Sequence, residues 1–365
     1  MKQDNNDKVV YFYHGIVDKN YYLFPRLVST LVRMPLLKKL FFIFPGIHQA
    51  TEKSEKHKGD SMGVEMTPAL FNVFKKNWEI NYKNAERLKQ LPVKYVSFHA
   101  PYIDDGKVYQ KNRNSLMDSV FDLTDTSANS TYCLVSHLQL IDYLSPKGLG
   151  PTLVVHPLPA SPQKSEREII DGIVGNIRKV IPLLEDLNIY IGIENMPWLK
   201  GKHERYTQML GGIDFFKKLI SEINHPHVGI TFDWGHANSY ARYMTLYTEN
   251  GGTYPFNQEG LLDFSYHKLF LTELKDKIYH MHLNYNNAHI LEARPPFHSK
   301  NFDYHADLTR IPENELPLYA KSLAPVLHSE ALRSMVIESI PSFLNFKERI
   351  SRYESSIDIL RTMLK

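Results

Sequence analysis

The sequence predicts an α/β chain folded as a (β/α)8 TIM barrel with long loops at its C-terminal face, on three observations. First, six apolar, β-branched runs each end on a residue able to ligate a metal. They are Lys94–Phe98 before His99, Thr152–Val155 before His156, Asn188–Ile193 before Glu194, Val228–Phe232 before Asp233, Lys277–Met281 before His282 and Ser334–Ile337 before Glu338. Second, the runs recur at steps of roughly 40–55 residues, the length of a strand–helix unit. Third, amphipathic helical patterns fill the intervals. In such a barrel the active site lies where the C-terminal ends of the strands converge. The pattern therefore predicts a fold and the place where that fold works.

Taken in order, residues 9–16 read as a first strand and 41–48 as a second, although Pro45 is unfavourable inside a strand. Thr51–Met62 is polar and reads as a loop. Thr67 and Pro68 have the residue types of an N-cap and first helical position, and predict a helix to about Leu91. Ser115 to Leu144 reads as helical, and Gly148, Gly150 and Pro151 as a turn. Ser165–Leu187 is an amphipathic helix, with Ile169, Ile173, Ile177, Ile181 and Leu184 at three- and four-residue spacing. Ile213–Ile223, Glu313–Ser329 and Phe346–Met363 complete the helical layer. Asn238–Lys275 is longer than one barrel helix needs and reads as an insertion or lid plus a helix; Asn284–Lys300 reads as a long loop. The unbroken series predicts a single barrel domain over 1–365, in which residues 1–66 are the weakly matched first units.

Formal net charge is only +3, which is compatible with a phosphate-bearing partner without requiring one. A single cysteine, Cys133, excludes an internal disulfide and fits a reducing, cytoplasmic setting. The polar start Met1–Lys8 has no signal-like character. Charges and prolines interrupt the apolar stretch Tyr21–Ile47, so no membrane partner is expected. Oligomeric state is not legible.

Two local motifs join the strand ends. Asp233-Trp-Gly-His236 sets a carboxylate at a strand end and an imidazole in the next turn. Asp303-Tyr-His305 has the i,i+2 spacing that puts both side chains on one face of an extended segment. The candidate ligands are then His99, His156, Glu194, Asp233, His236, His282, Asp303, His305 and Glu338. Nitrogen and oxygen donors without thiolate suit Zn2+, or Mn2+ or Fe2+ in some sites. The set exceeds the needs of one ion and predicts up to three. His280 shares the strand face of His282 and is expected one layer deeper in the barrel.

The pieces Phe98-His-Ala-Pro-Tyr102, Val155-His-Pro157, Ile193-Glu-Asn195, Phe232-Asp-x-x-His236, Met281-His-Leu-Asn284, Asp303-x-His305 and Val336-Ile-Glu-Ser339 resemble the endonuclease IV family. That family consists of apurinic/apyrimidinic endonucleases within the xylose-isomerase-like barrel superfamily. The resemblance covers roughly residues 67–340 and implies three zinc ions. Carried over, His99 and His156 hold one ion, and Glu194 bridges it to a second completed by Asp233, His282 and Glu338. His236, Asp303 and His305 hold the third. Glu194 and Glu338 become the catalytic carboxylates, and a metal-bridging hydroxide cuts the phosphodiester 5′ to an abasic site in DNA. Tyr102 and Ile103 match residues that enter the DNA, and Arg294 and Arg310 stand where they can neutralise phosphate. The sequence departs from the family in the acidic Asp104 and Asp105 after that tyrosine and in the absence of glycine after His305.

A second reading is a sugar or sugar-phosphate isomerase or epimerase with a single divalent metal. Such enzymes resemble this chain at Glu194, Asp233, His282 and Glu338, and their partner is a small sugar or phosphate ester. A third reading, a non-catalytic barrel, leaves a costly set of polar residues unexplained.

Overall fold

The computed structural model describes residues 11–14, 62–68, 73–75, 78–90, 95–101, 103–104, 107–108, 121–145, 149–199, 201–249, 264–286, 305–327, 329–338 and 346–363. Eight parallel strands close a barrel: β1 (Tyr11–His14), β2 (Met62–Met66), β3 (Tyr95–His99), β4 (Thr152–Val155), β5 (Tyr190–Glu194), β6 (Val228–Asp233), β7 (Ile278–Leu283) and β8 (Ser334–Ile337). Neighbours in the barrel follow chain order, and β1 pairs with both β2 and β8, so no edge is left open. The chain is therefore a TIM barrel, as its periodicity predicts.

Helices alternate with the strands: α1 (Tyr82–Lys89), α2 (Ala128–Leu144), α3 (Glu166–Leu187), α4 (Ile213–Ile223), α5 (Trp234–Glu249), α6 (Ser265–Glu273), α7 (Leu316–Leu327) and α8 (Phe346–Met363). α3 shows how sequence sets an element. Ser165 accepts a hydrogen bond from the Glu168 amide, and the Glu168 carboxylate accepts one from the Ser165 amide, a reciprocal cap. Ile169, Ile173, Ile177 and Leu184 face the sheet, and Asn188 ends the helix in the left-handed region at φ 51°. The main core lies between barrel and helices, where Phe232 of β6 meets Phe270 of α6 with ring centroids 5.0 Å apart. Among the described residues, no helix is long and apolar enough to cross a membrane.

The first third departs from expectation. Residues 41–48 lie outside the described residues. The second described barrel strand is instead Met62–Met66, which starts at the last residue of the stretch read as a loop. The helix expected over 67–91 is reduced to α1, because Phe74 and Ile80 form an antiparallel bridge. Between them Trp78 takes φ 66° and is fully buried, packing edge-on against Phe74 and tilted against His137. Burial of the indole outweighs the local helical pattern there. α2 begins at Ala128 rather than Ser115. Asp122 folds back to accept hydrogen bonds from the Thr124 amide and hydroxyl at 2.8 and 2.7 Å, a turn that competes with helix. Within the expected insertion, residues 238–249 continue α5 and 265–273 form α6; 250–263 lie outside the described residues.

Candidate metal centre

The barrel registers carry the donors to one level. His99, Glu194 and Asp233 are the last residues of β3, β5 and β6, and His156 and Glu338 directly follow β4 and β8. Asp233 pairs with His282 of β7 across the β6–β7 ladder. Successive strand residues face opposite sides, so one donor per strand end suffices to line the mouth.

One ligand atom from each of Glu194, Asp233, His282 and Glu338 lies within 4.8 Å of the other three, and all four residues are buried. These come from four consecutive strands, β5 to β8. By the same measure Asp233, His236 and His305 form a trio, as do His99, Glu194 and His282. Among the described residues no such group includes His156, whose Nε2 stands 2.7 Å from Glu194 Oε2. Asp303, Tyr102 and Arg294 lie outside the described residues. So does the side chain of Ile103, whose backbone forms a two-residue strand with Asp104. Arg310 ends a short 3-10 helix and is exposed.

The hydrogen bonds around the cluster orient each ring. His99 Nδ1 donates to the Ala100 carbonyl at 2.8 Å, which leaves Nε2 facing Glu194 Oε2 at 3.3 Å. His236 Nδ1 donates to the Asn195 carbonyl at 2.7 Å. His282 Nδ1 is 3.0 Å from Glu194 Oε1, 3.0 Å from Glu338 Oε2 and 3.6 Å from Asp233 Oδ2. His305 Nδ1 lies 3.3 Å from Glu338 Oε2.

Asp233 is held on three sides. Its backbone exchanges hydrogen bonds with the Asn195 side chain, donating at 2.7 Å and accepting at 3.0 Å. Its Oδ1 accepts from the His236 amide at 2.6 Å, capping α5, and its Oδ2 accepts from Asn284 Nδ2 at 3.0 Å. That is the physical content of the Asp-Trp-Gly-His motif. Trp234 anchors the turn, stacking 4.1 Å from Tyr319 and donating to Ser322 Oγ at 3.2 Å. A Cβ at Gly235 would stand 2.0 Å from Asn284 Oδ1, so the glycine leaves room for that side chain beside Asp233.

Burial raises the Glu194 carboxyl, but the opposing pull of His282 and His156 holds it well below the usual carboxylate range. Burial likewise disfavours a charged His282, yet Glu65, Glu338 and Glu194 together raise it well above the ordinary imidazole value. His156 is lowered, burial outweighing its Glu194 contact. A buried cluster with this much carboxylate needs positive charge nearby, which imidazolium or a divalent cation supplies. The donor set, imidazole nitrogen and carboxylate oxygen with no thiolate, fits a Zn2+-, Mn2+- or Fe2+-type ion. Cys133 is buried elsewhere, beside His137.

Glu65 of β2 went unnoticed in the sequence. It is buried and forms a further trio with His280 and His282. His280 does lie in the barrel interior, as its spacing from His282 predicts.

Residues 137–309 match the family described as xylose isomerase-like TIM barrel. That match covers less than half of the chain; the fold as a whole is a TIM barrel. The uncharacterized protein MJ1311 of Methanocaldococcus jannaschii is 25% identical over 208 residues, 56% of this chain. The match spans 61% of that relative's length. A D-tagatose 3-epimerase-like protein superposes with a TM-score of 0.50 at 19% identity, over 86% of this chain and 92% of its own. A D-allulose 3-epimerase from Methylomonas sp. does so with a TM-score of 0.50 at 11% identity, over 98% and 97%. At these identities the likeness is one of fold. The family match supports the barrel superfamily named from the motifs but not endonuclease IV within it, and of the two solved structures one is a sugar epimerase and the other is described as epimerase-like.

Proposed function

We propose that this xylose isomerase-like barrel is a divalent-metal-dependent isomerase or epimerase acting on a small sugar or sugar phosphate. The observation that carries the reading is the four-donor group Glu194, Asp233, His282 and Glu338, complete for one ion and drawn from four successive strands. These four residues would hold a divalent ion, which would supply Lewis-acid polarisation of a substrate carbonyl or hydroxyl. Glu194 and Glu338 stand on β5 and β8, on either side of the intervening strands. One carboxylate takes the proton from the carbon beside the carbonyl and the other returns one, so the reaction is redox-neutral and needs no co-substrate. The D-allulose 3-epimerase and the D-tagatose 3-epimerase-like protein that share this fold support the same chemistry.

A second reading, a phosphodiesterase of the abasic-site type, is favoured by the histidines beyond the four-donor group. Asp233, His236 and His305 form a second trio, and His99 and His156 both reach Glu194 Oε2. In that reading these groups would hold two or three ions, which would supply an activated hydroxide and charge stabilisation of the leaving oxygen, and Tyr102, Ile103, Arg294 and Arg310 would contact DNA.

Elemental analysis of protein purified without chelator, paired with two assays, separates them. One ion per chain together with solvent deuterium appearing in a ketohexose or its phosphate supports the isomerase. Two or three ions with 5′ incision of duplex DNA at an abasic site, and no deuterium exchange, overturns it in favour of the phosphodiesterase.

A further inference from the structure

Beneath the mouth of the barrel lies a second polar layer. Glu65 of β2 reaches across the interior to β7, 215 residues away in the chain, where its Oε2 is 3.0 Å from His280 Nε2. The same carboxylate stands 3.2 Å from His282 Nε2 through Oε1 and 3.3 Å through Oε2. His280 Nδ1 is in turn 2.6 Å from Ser334 Oγ of β8. All four residues are buried. These separations are those of hydrogen bonds, and they leave the two nitrogens of His282 with different duties. Nε2 points down to Glu65, and Nδ1 points up into the Glu194, Asp233 and Glu338 carboxylates.

We infer that Glu65 is a positioning residue of the metal centre: it accepts the Nε2 proton of His282 and so keeps the Nδ1 lone pair aimed at the ion. A carboxylate offers only acceptors, so both ring nitrogens facing it must carry hydrogens. Nδ1 faces the carboxylates of the mouth, so a cation bound there would replace its hydrogen, and the neutral ring would then keep its one hydrogen on Nε2 and present the Nδ1 electron pair to the ion. Without Glu65 the ring can take the opposite tautomer, with a hydrogen on Nδ1 in the path of the metal. Ser334, acting through His280, holds Glu65 in place. This rests on the metal centre proposed above, and on His282 as a ligand within it.

The test is Glu65→Gln, which keeps shape but adds a donor. Zn2+ binding to the full chain, measured by competition with a chelator of known affinity, is expected to weaken about 10–100-fold. Glu65→Asp, which retains the carboxylate, should recover part of the loss. Long-range 1H–15N spectra of histidine-labelled protein report the tautomer independently. Zn2+-loaded wild type should show His282 protonated at Nε2 and metal-shifted at Nδ1. Wild-type affinity in Glu65→Gln, or a wild-type spectrum with His282 protonated at Nδ1, overturns the inference. If Glu65→Gln does not fold, the wild-type spectrum still decides it. Failure of wild type to bind any Zn2+ would instead fell the metal centre, a result distinct from unchanged binding in Glu65→Gln.

Discussion

Replacing His137 by phenylalanine should make the protein resistant to acid without changing it at neutral pH. His137 sits on α2, fully buried among Phe74, Trp78 and Phe121, with ring centroids 4.5, 5.6 and 6.1 Å away. Its Nδ1 donates to the Cys133 carbonyl at 2.8 Å, while its buried Nε2 has no hydrogen-bond partner among the described residues. Burial lowers its pKa from 6.5 to about 4. The unfolded chain therefore takes up a proton between pH 6.5 and 4 that the folded chain refuses, and stability falls as pH falls through that window. Integrated to pH 4.5, the penalty is about 2.5 kcal/mol from this residue alone. Phenylalanine fills the same aromatic pocket and cannot titrate. Urea unfolding of both proteins, in chelator so that metal linkage does not contribute, should give a stability difference near zero at pH 7.5. By pH 4.5 it should grow to about 2.5 kcal/mol in favour of the variant. A difference that stays flat with pH would show that the folded protein accommodates a charged His137, and would refute the reasoning.

Three further substitutions probe the frame and the site. Gly172→Ala should be strongly destabilising, lowering stability by roughly 2 kcal/mol or more in thermal or urea unfolding, because its Cβ would meet the Thr124 backbone carbonyl oxygen at 2.1 Å. Gly235→Ala pushes instead on the Asn284 side chain; Zn2+ affinity should drop about tenfold in a chelator competition as Asp233 loses its Asn284 bond, while the melting temperature moves little. Ser165→Ala removes one half of the reciprocal cap on α3 and should lower unfolding free energy by about 1 kcal/mol, with metal content unchanged.

Most of the barrel from β3 onward was legible in the sequence, because the strands are short apolar runs ending on a polar donor and helices such as Glu166–Leu187 and Ile213–Ile223 carry a one-sided apolar pattern. Ile213–Ile223 and Phe346–Met363 coincide with their predicted bounds for this reason. The start of the chain was less legible. β2 is only five residues, Met62–Met66, and its Gly63 and Glu65 break the apolar run that would mark a strand. Phe74, Trp78 and Ile80 mimic a helical spacing but are spent on a bridge and a buried indole.

The same division runs through the site. Sequence alone determined that donors cap successive strands, since a two-residue repeat ending on His, Asp or Glu must deliver that side chain to the barrel mouth. Only the tertiary structure decided which atoms meet. It gathers Glu194, Asp233, His282 and Glu338 into one group, leaves His156 outside every such group among the described residues, and sets Glu65 beneath His282. Barrel closure through β1 is the physical reason, for it brings β2 and β7 face to face across the interior, and no local pattern records a contact between residues 215 positions apart.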